Sequence, residues 1–284
     1  MTTTTNVSAN LNISPKRITF DRAGRSASVF IFNQGTGIAT FDISLVDRVM
    51  LPDGRIEAVS EAETKPELNP YIAKLRSAKP MLVAAPRRAT LEPGRGQTIR
   101  LRVTPAPATV TGAAAPTGEY RTHLTITTLP PRDIGFTAEQ AAAGNTRELR
   151  FRINTVFGIS IPVILRLGAL DVRGALENPT LITQAVSADG ASAPKPTPVL
   201  RFQLVRVGAN SLFGNLEVRG AKEKGSKEPL GTARGVGVYP EIDRRQIEIP
   251  LKRTPLPAEK IEITFTDDDA TPGRLIAKTV LTSP

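Results

Sequence analysis

His123 is the only histidine in the chain, so a proton shuttle or a Ser–His–Asp triad would have to be built on it. It sits in Tyr120-Arg121-Thr122-His123-Leu124-Thr125-Ile126, whose alternation reads as a strand, and is expected to be a surface or packing residue. There is no cysteine, which excludes a thiol nucleophile, a disulfide scaffold, an iron–sulfur cluster and a Cys-based zinc site. Gly220-Ala221-Lys222-Glu223-Lys224-Gly225-Ser226-Lys227 holds the residue types of a phosphate-binding loop, but the Lys and Ser stand in the wrong order and no helix follows. That segment reads as a hairpin tip. Asp267-Asp268-Asp269 lacks the alternating ligands and distant Glu of a calcium loop, and with Thr271-Pro272-Gly273 behind it reads as a turn. No nucleophile elbow, His-Glu-x-x-His or dinucleotide fingerprint occurs. The expectation is a protein without catalytic activity, cofactor or metal.

Residues of such types need strands to place them, and the chain supplies the pattern. Short apolar alternations recur at Ala27–Phe32, Thr40–Val46, Thr98–Val103, Thr122–Thr127, Phe151–Ile161, Leu200–Val207 and Ile261–Phe265. Turn chemistry separates them: Asn33-Gln34-Gly35, Pro52-Asp53-Gly54, Glu92-Pro93-Gly94 and Pro130-Pro131. Only Thr137–Ala143 and Pro70–Ser77 read as helical, both as loop insertions, so the fold class is all-β, built of sandwiches. No apolar run approaches the roughly 18 residues of a membrane span. Met1 to Asn10 is polar and lacks a signal peptide's apolar middle; the chain is either cytoplasmic or begins after a removed signal.

At 284 residues the length suits two domains, with a boundary near Leu167–Leu170. This gives a flexible segment 1–10, a sandwich 11–166 and a second sandwich 167–284. Residues 1–166 hold 21 Lys+Arg against 13 Asp+Glu, a net +8, whereas 167–284 hold 16 against 14, a net +2. The basic side chains are dispersed, and with no Trp and 3 Tyr there are few platforms for stacking bases, which argues against nucleic-acid binding. Ser187–Pro198 and Ala221–Glu228 read as exposed hairpin connections.

The most informative segment is 149–161. Leu149, Phe151, Ile153, Thr155, Phe157, Ile159 and Ile161 share one parity of a continuous alternation, and Arg150 and Arg152 share the other. Thirteen residues at about 3.3 Å each span roughly 40 Å, longer than a sandwich core covers. An apolar row left open along an edge invites pairing with another strand. Equally, the pattern can break at Gly158 into two ordinary strands.

Several blocks resemble the periplasmic chaperones of chaperone–usher pilus assembly. Leu11–Phe20 resembles the family's first strand, and Ser26–Asn33 with Ala39–Val46 its second and third. Ala85-Pro86 followed by Leu91-Glu92-Pro93-Gly94 and Gln97-Thr98-Ile99-Arg100 is similar to the family's proline, leucine, Pro-Gly turn and Gln-x-x-Arg. Gly118-Glu119-Tyr120-Arg121 leading to Leu129-Pro130-Pro131 resembles the strand that closes on a Pro-Pro pair. The match covers about 11–165, and the second half resembles the family poorly.

The resemblance implies two immunoglobulin-like domains, a periplasmic location, and partners that are pilus or fimbrial subunits and an outer-membrane usher. It implies that the last strand of the first domain is lent to a subunit lacking one, through Leu149, Phe151 and Ile153, continued by Thr155 and Phe157. It further implies that Arg17 binds the subunit's terminal carboxylate; the family's partner Lys falls on Gly158, leaving Arg17 alone or with Arg152. Weak self-association without client is compatible with such an edge. The alternative reading is a structural or adhesive secreted sandwich protein that self-assembles through the same strand.

Overall fold

The computed structural model describes residues 10–21, 24–104, 117–130, 156–187, 193–220, 228–252 and 260–282. In chain order the strands are β1 (Leu11–Ser14), β2 (Ile18–Phe20), β3 (Ser26–Asn33), β4 (Ala39–Val46), β5 (Arg48–Met50) and β6 (Ile56–Ala58). Two short helices follow, α1 (Val59–Ala62) and α2 (Asn69–Lys74). Then come β7 (Leu82–Ala85), β8 (Arg88–Leu91), β9 (Gly96–Val103), β10 (Gly118–Leu129), β11 (Gly158–Leu167) and β12 (Gly174–Val186). The last six are β13 (Lys195–Arg206), β14 (Leu212–Gly220), β15 (Gly231–Val238), β16 (Arg244–Pro250), β17 (Ile261–Asp267) and β18 (Leu275–Leu281). The fold is all-β, as two sandwiches.

Within the described residues the chain divides into two compact units. The first takes 10–21, 24–47, 77–104, 121–130 and 156–165, and the second takes the rest. In the first, a sheet ordered β1-β3-β9-β7 faces one ordered β2-β11-β10-β4-β8. Alternation sends Val29, Ile31, Phe41, Ile43, Ile99, Leu101, Leu124, Ile126, Val163 and Leu165 between the sheets, where all are buried. Burial of side chains this size contributes about 1.5–3 kcal/mol each, so this row sets the register of both sheets.

The second unit pairs a sheet ordered β12-β13-β16 with one ordered β15-β14-β17-β18 around Leu200, Phe202, Leu204, Leu216, Val218, Ile263 and Phe265. Residues 48–76, which lie inside the span expected for the N-terminal sandwich, cluster with this unit. The β5–β6 hairpin and the two helices enclose their own small core of Val49, Leu51, Ala62 and Leu68. Lys74 also pairs with Asp243 at 3.3 Å. The helix expected over Pro70–Ser77 is α2, which starts at Asn69 and stops at Lys74; Thr137–Ala143 lies outside the described residues. Lys195–Pro198, expected as loop, is the first part of β13, held by pairing with Thr183–Val186.

Candidate functional site

β11 is the strand on which the sequence concentrates interest, and its two neighbours are unequal. β10 flanks it on one side as a twelve-residue strand. On the other side β2 has three residues and pairs in parallel, with Ile18 opposite Val163, Thr19 opposite Ile164 and Phe20 opposite Leu165. Among the described residues, nothing pairs with that side of β11 before Val163, so Gly158–Pro162 forms an open edge. The β10 side is held by side chains as well: Thr125 Oγ1 and Ser160 Oγ lie 2.9 Å apart.

The ladder extends past the N-terminal end of β11. The Thr128 amide donates to the Phe157 carbonyl at 2.8 Å, and the Phe157 amide donates to Thr128 Oγ1 at 2.8 Å. Val156 and Phe157 are 54% and 51% exposed, so two large apolar side chains stand in solvent just before β11. A Cβ at Gly158 would make only ordinary contact with Thr127 Oγ1 at 3.5 Å, so neither crowding nor backbone shape demands glycine there. Of the residues expected to form the apolar row, Phe157 stands just before this edge, exposed and bonded to Thr128, whereas Ile161, of the same parity, is buried. Leu149, Phe151, Ile153 and Thr155 lie outside the described residues, as does Arg152.

Arg17 immediately precedes β2 and is half-buried. Because Ile18 sits opposite Val163, the register brings Arg17 level with Pro162, where the open edge begins. Gly158 is four residues further, about 13 Å along a strand, so it does not share a rung with Arg17.

His123 is buried at 2% exposure beside Arg121, also 2% exposed, with Arg121 Nη1 at 3.3 Å from Nδ1 and 3.4 Å from Nε2. One guanidinium nitrogen thus lies nearly equidistant from both ring nitrogens of a buried imidazole. A groove of about 440 Å³ between β4 and β7 contains Ser44, but its carboxylate, Asp42, is paired with Arg88 at 3.6 Å. Among the described residues no group of three or more His, Asp or Glu is arranged to hold a metal ion, and no helix is long and apolar enough to cross a membrane.

The aspartate triplet forms the turn between β17 and β18. Asp267 is buried and accepts the amides of Asp269 at 3.1 Å and Thr271 at 2.7 Å, and Gly273 closes the turn at φ +85°. Asp269 has a second role that sequence reasoning missed. In the second unit Arg166 donates through Nε to Glu119 Oε2 at 3.0 Å and through Nη2 to Asp269 Oδ2 at 2.7 Å. The Ser211 amide donates to the same Glu119 oxygen at 3.2 Å. Burial opposes the guanidinium charge, but the two carboxylates outweigh it and hold Arg166 above its usual range. Nothing in the sequence signals this trio, whose members lie 47 and 103 positions apart. The Gly220–Lys227 segment, apart from Gly220 at the end of β14, lies outside the described residues.

No protein-family model matches the chain, and no curated protein matches it. Solved structures do. The chain is similar to a structure of the Salmonella enterica SafA pilin in complex with the SafB chaperone, at 12% identity and a TM-score of 0.45, covering 98% of this chain and 99% of that one. It is similar to the E. coli chaperone DraB at 12% identity and a TM-score of 0.43, with 96% of each chain covered. The CsuC–CsuE chaperone and tip adhesion subunit pre-assembly complex of Acinetobacter baumannii matches at 13% identity and a TM-score of 0.43, covering 96% and 97%. Each of these structures is described as a chaperone or as a chaperone complex, with a pilin in one and a tip adhesion subunit in another.

Proposed function

We propose that the protein is a periplasmic chaperone that binds incomplete immunoglobulin-like pilus subunits by lending them its strand over residues 149–161, and delivers them to an outer-membrane usher. The reading rests on the edge of β11 that β2 leaves open before Val163, with Val156 and Phe157 exposed where the chain continues toward the apolar row. A subunit strand laid along that edge satisfies its backbone amides and carbonyls, and pockets in the subunit accept alternate side chains. Leu149, Phe151 and Ile153, with Thr155 and Phe157, are the side chains on the correct parity. A slip of one residue would offer Arg150 and Arg152 in their place, so the apolar row fixes register.

In this reading the client-binding domain is the sandwich within 11–166. Arg17, level with Pro162 at the head of the open edge, takes the terminal carboxylate of the bound strand. The net +8 of residues 1–166 draws carboxylate-ended clients toward it. The test is capture of a recombinant pilus-type subunit that lacks its last strand. The wild-type chain is expected to co-purify with it as a stoichiometric soluble complex. A subunit that remains insoluble and uncaptured in the presence of the chain overturns the proposal.

A further inference from the structure

Edge strands carry unpaired amides and carbonyls, and natural sheets guard them with charge, proline, bulges or brevity. The described edges of this protein follow that rule. β1, β2, β7 and β8 have three or four residues, β15 carries Arg234 and the positive-φ Gly235, β16 carries Arg244 and Arg245, and β18 carries Lys278. β12 departs from it. It runs for thirteen residues as the outer strand of its sheet; among the described residues its ladder partner is β13, and it also lies against β18.

Its Gly174 end packs against Leu212 and Ile276, and a bulge at Asn178, φ 52°, separates that end from the distal half. The distal half, Thr180–Val186, pairs with Lys195–Arg201; contact with the third strand runs on to the Leu251 amide on the Pro198 carbonyl at 2.8 Å, and among the described residues Lys195–Thr197 and their β12 partners lie beyond it. On this distal half the β13 side is guarded by Lys195, Pro196 and Pro198. The β12 side is not: residues 178–187 contain no charge, and Thr180-Leu181-Ile182-Thr183-Gln184-Ala185-Val186 contains no proline or glycine. Such a segment has the composition that pairs with another strand.

We propose that the distal half of β12 is a homodimerisation edge, paired antiparallel with the same strand of a second copy about Thr183. In that register Leu181 faces Ala185, Ile182 faces Gln184 and Thr183 faces itself, so no like charges meet. The net +2 of residues 167–284 opposes such a contact far less than the +8 of residues 1–166 would oppose one there. This pairing uses a different strand from the one offered to a subunit and does not depend on that reading.

The experiment is light scattering on the intact chain from low micromolar to about 300 µM, where mass action must show a dimer. The mass is expected to rise from 30.4 kDa toward twice that value. Thr183 is exposed, and Thr183→Lys, which sets two ammonium groups opposite each other, is expected to weaken association about fivefold or more. Because the chain has no cysteine, Thr183→Cys creates a single thiol, and facing Cα atoms about 4.5–5.5 Å apart suit a disulfide. Thr183→Cys is expected to oxidise to a covalent dimer far faster than Thr98→Cys, an exposed site on β9. A mass that stays at 30.4 kDa throughout, or a dimer indifferent to Thr183→Lys with no preferential crosslink, overturns the proposal.

Discussion

Ile18 sits opposite Val163 in the parallel pairing of β2 with β11, and that rung is the first one β2 provides. Every residue of β11 before it has a single neighbouring strand among the described residues. Arg17, one position earlier than Ile18, stands level with Pro162 beside the opening. A three-residue strand thus determines both where the edge of β11 begins and which cation lies at its head.

For Arg17→Ala, capture of a pilus-type subunit is expected to weaken. Loss of a charge-assisted hydrogen bond of about 1.5–3 kcal/mol corresponds to a dissociation constant raised about ten- to hundredfold. Surface plasmon resonance with an immobilised subunit measures it, and an unchanged constant removes the carboxylate role.

Arg166→Met removes the guanidinium that bridges the buried Glu119 carboxylate and the half-buried Asp269. Breaking a buried pair on one side costs about 3–5 kcal/mol, so the urea midpoint should fall sharply. A drop below about 1 kcal/mol would mean that the trio is hydrated in solution.

Asp171 carries the clearest pH signature. The Arg173 guanidinium that it hydrogen-bonds, together with the Ala209 amide, holds its carboxyl at about 2, below the ordinary value of 3.8. A lowered folded-state value stabilises the fold above the unfolded value, and the contribution fades as pH falls from about 4 to about 2. Carboxyl-carbon NMR should find Asp171 titrating at about 2, and Asp171→Asn should flatten that part of the acid limb. An Asp171 that titrates near 3.8 contradicts the pairing.

Gly214 lets β14 pass close to β17, since a methyl group there would overlap the Thr266 carbonyl. Backbone cannot yield as a side chain does, so Gly214→Ala is expected to cost about 1–3 kcal/mol by thermal or urea unfolding. A neutral result would show that the β14–β17 pairing is looser than its register implies.

Strands that bury one face were legible because alternation carries their register: Val29 and Ile31, Phe41 and Ile43, Ile99 and Leu101 are all inward, as the pattern requires. The turns at Gly54 and Gly94 were legible because each needs a positive φ, here +87° and +70°. β2 was illegible as a separate strand, since three residues are too few to show a period. β12 was missed because Asn178-Pro179 interrupts its alternation at the bulge. The Glu119–Arg166–Asp269 trio was hidden because ion pairing at long sequence separation leaves no local pattern. His123 was legible as a strand residue, but its burial against Arg121 depends on packing that no spacing encodes.

In the proposed mechanism residues 149–157, which lead into β11, are lent to an incomplete subunit through their apolar parity. The most direct measurement is co-purification of that subunit with wild-type protein and with the double substitution Phe151→Asp plus Ile153→Asp, alongside circular dichroism of both. Each apolar side chain that no longer fills a subunit pocket forfeits about 1.5–3 kcal/mol, so the double variant should fold normally and capture no subunit. Capture at wild-type yield by a folded double variant would contradict strand donation.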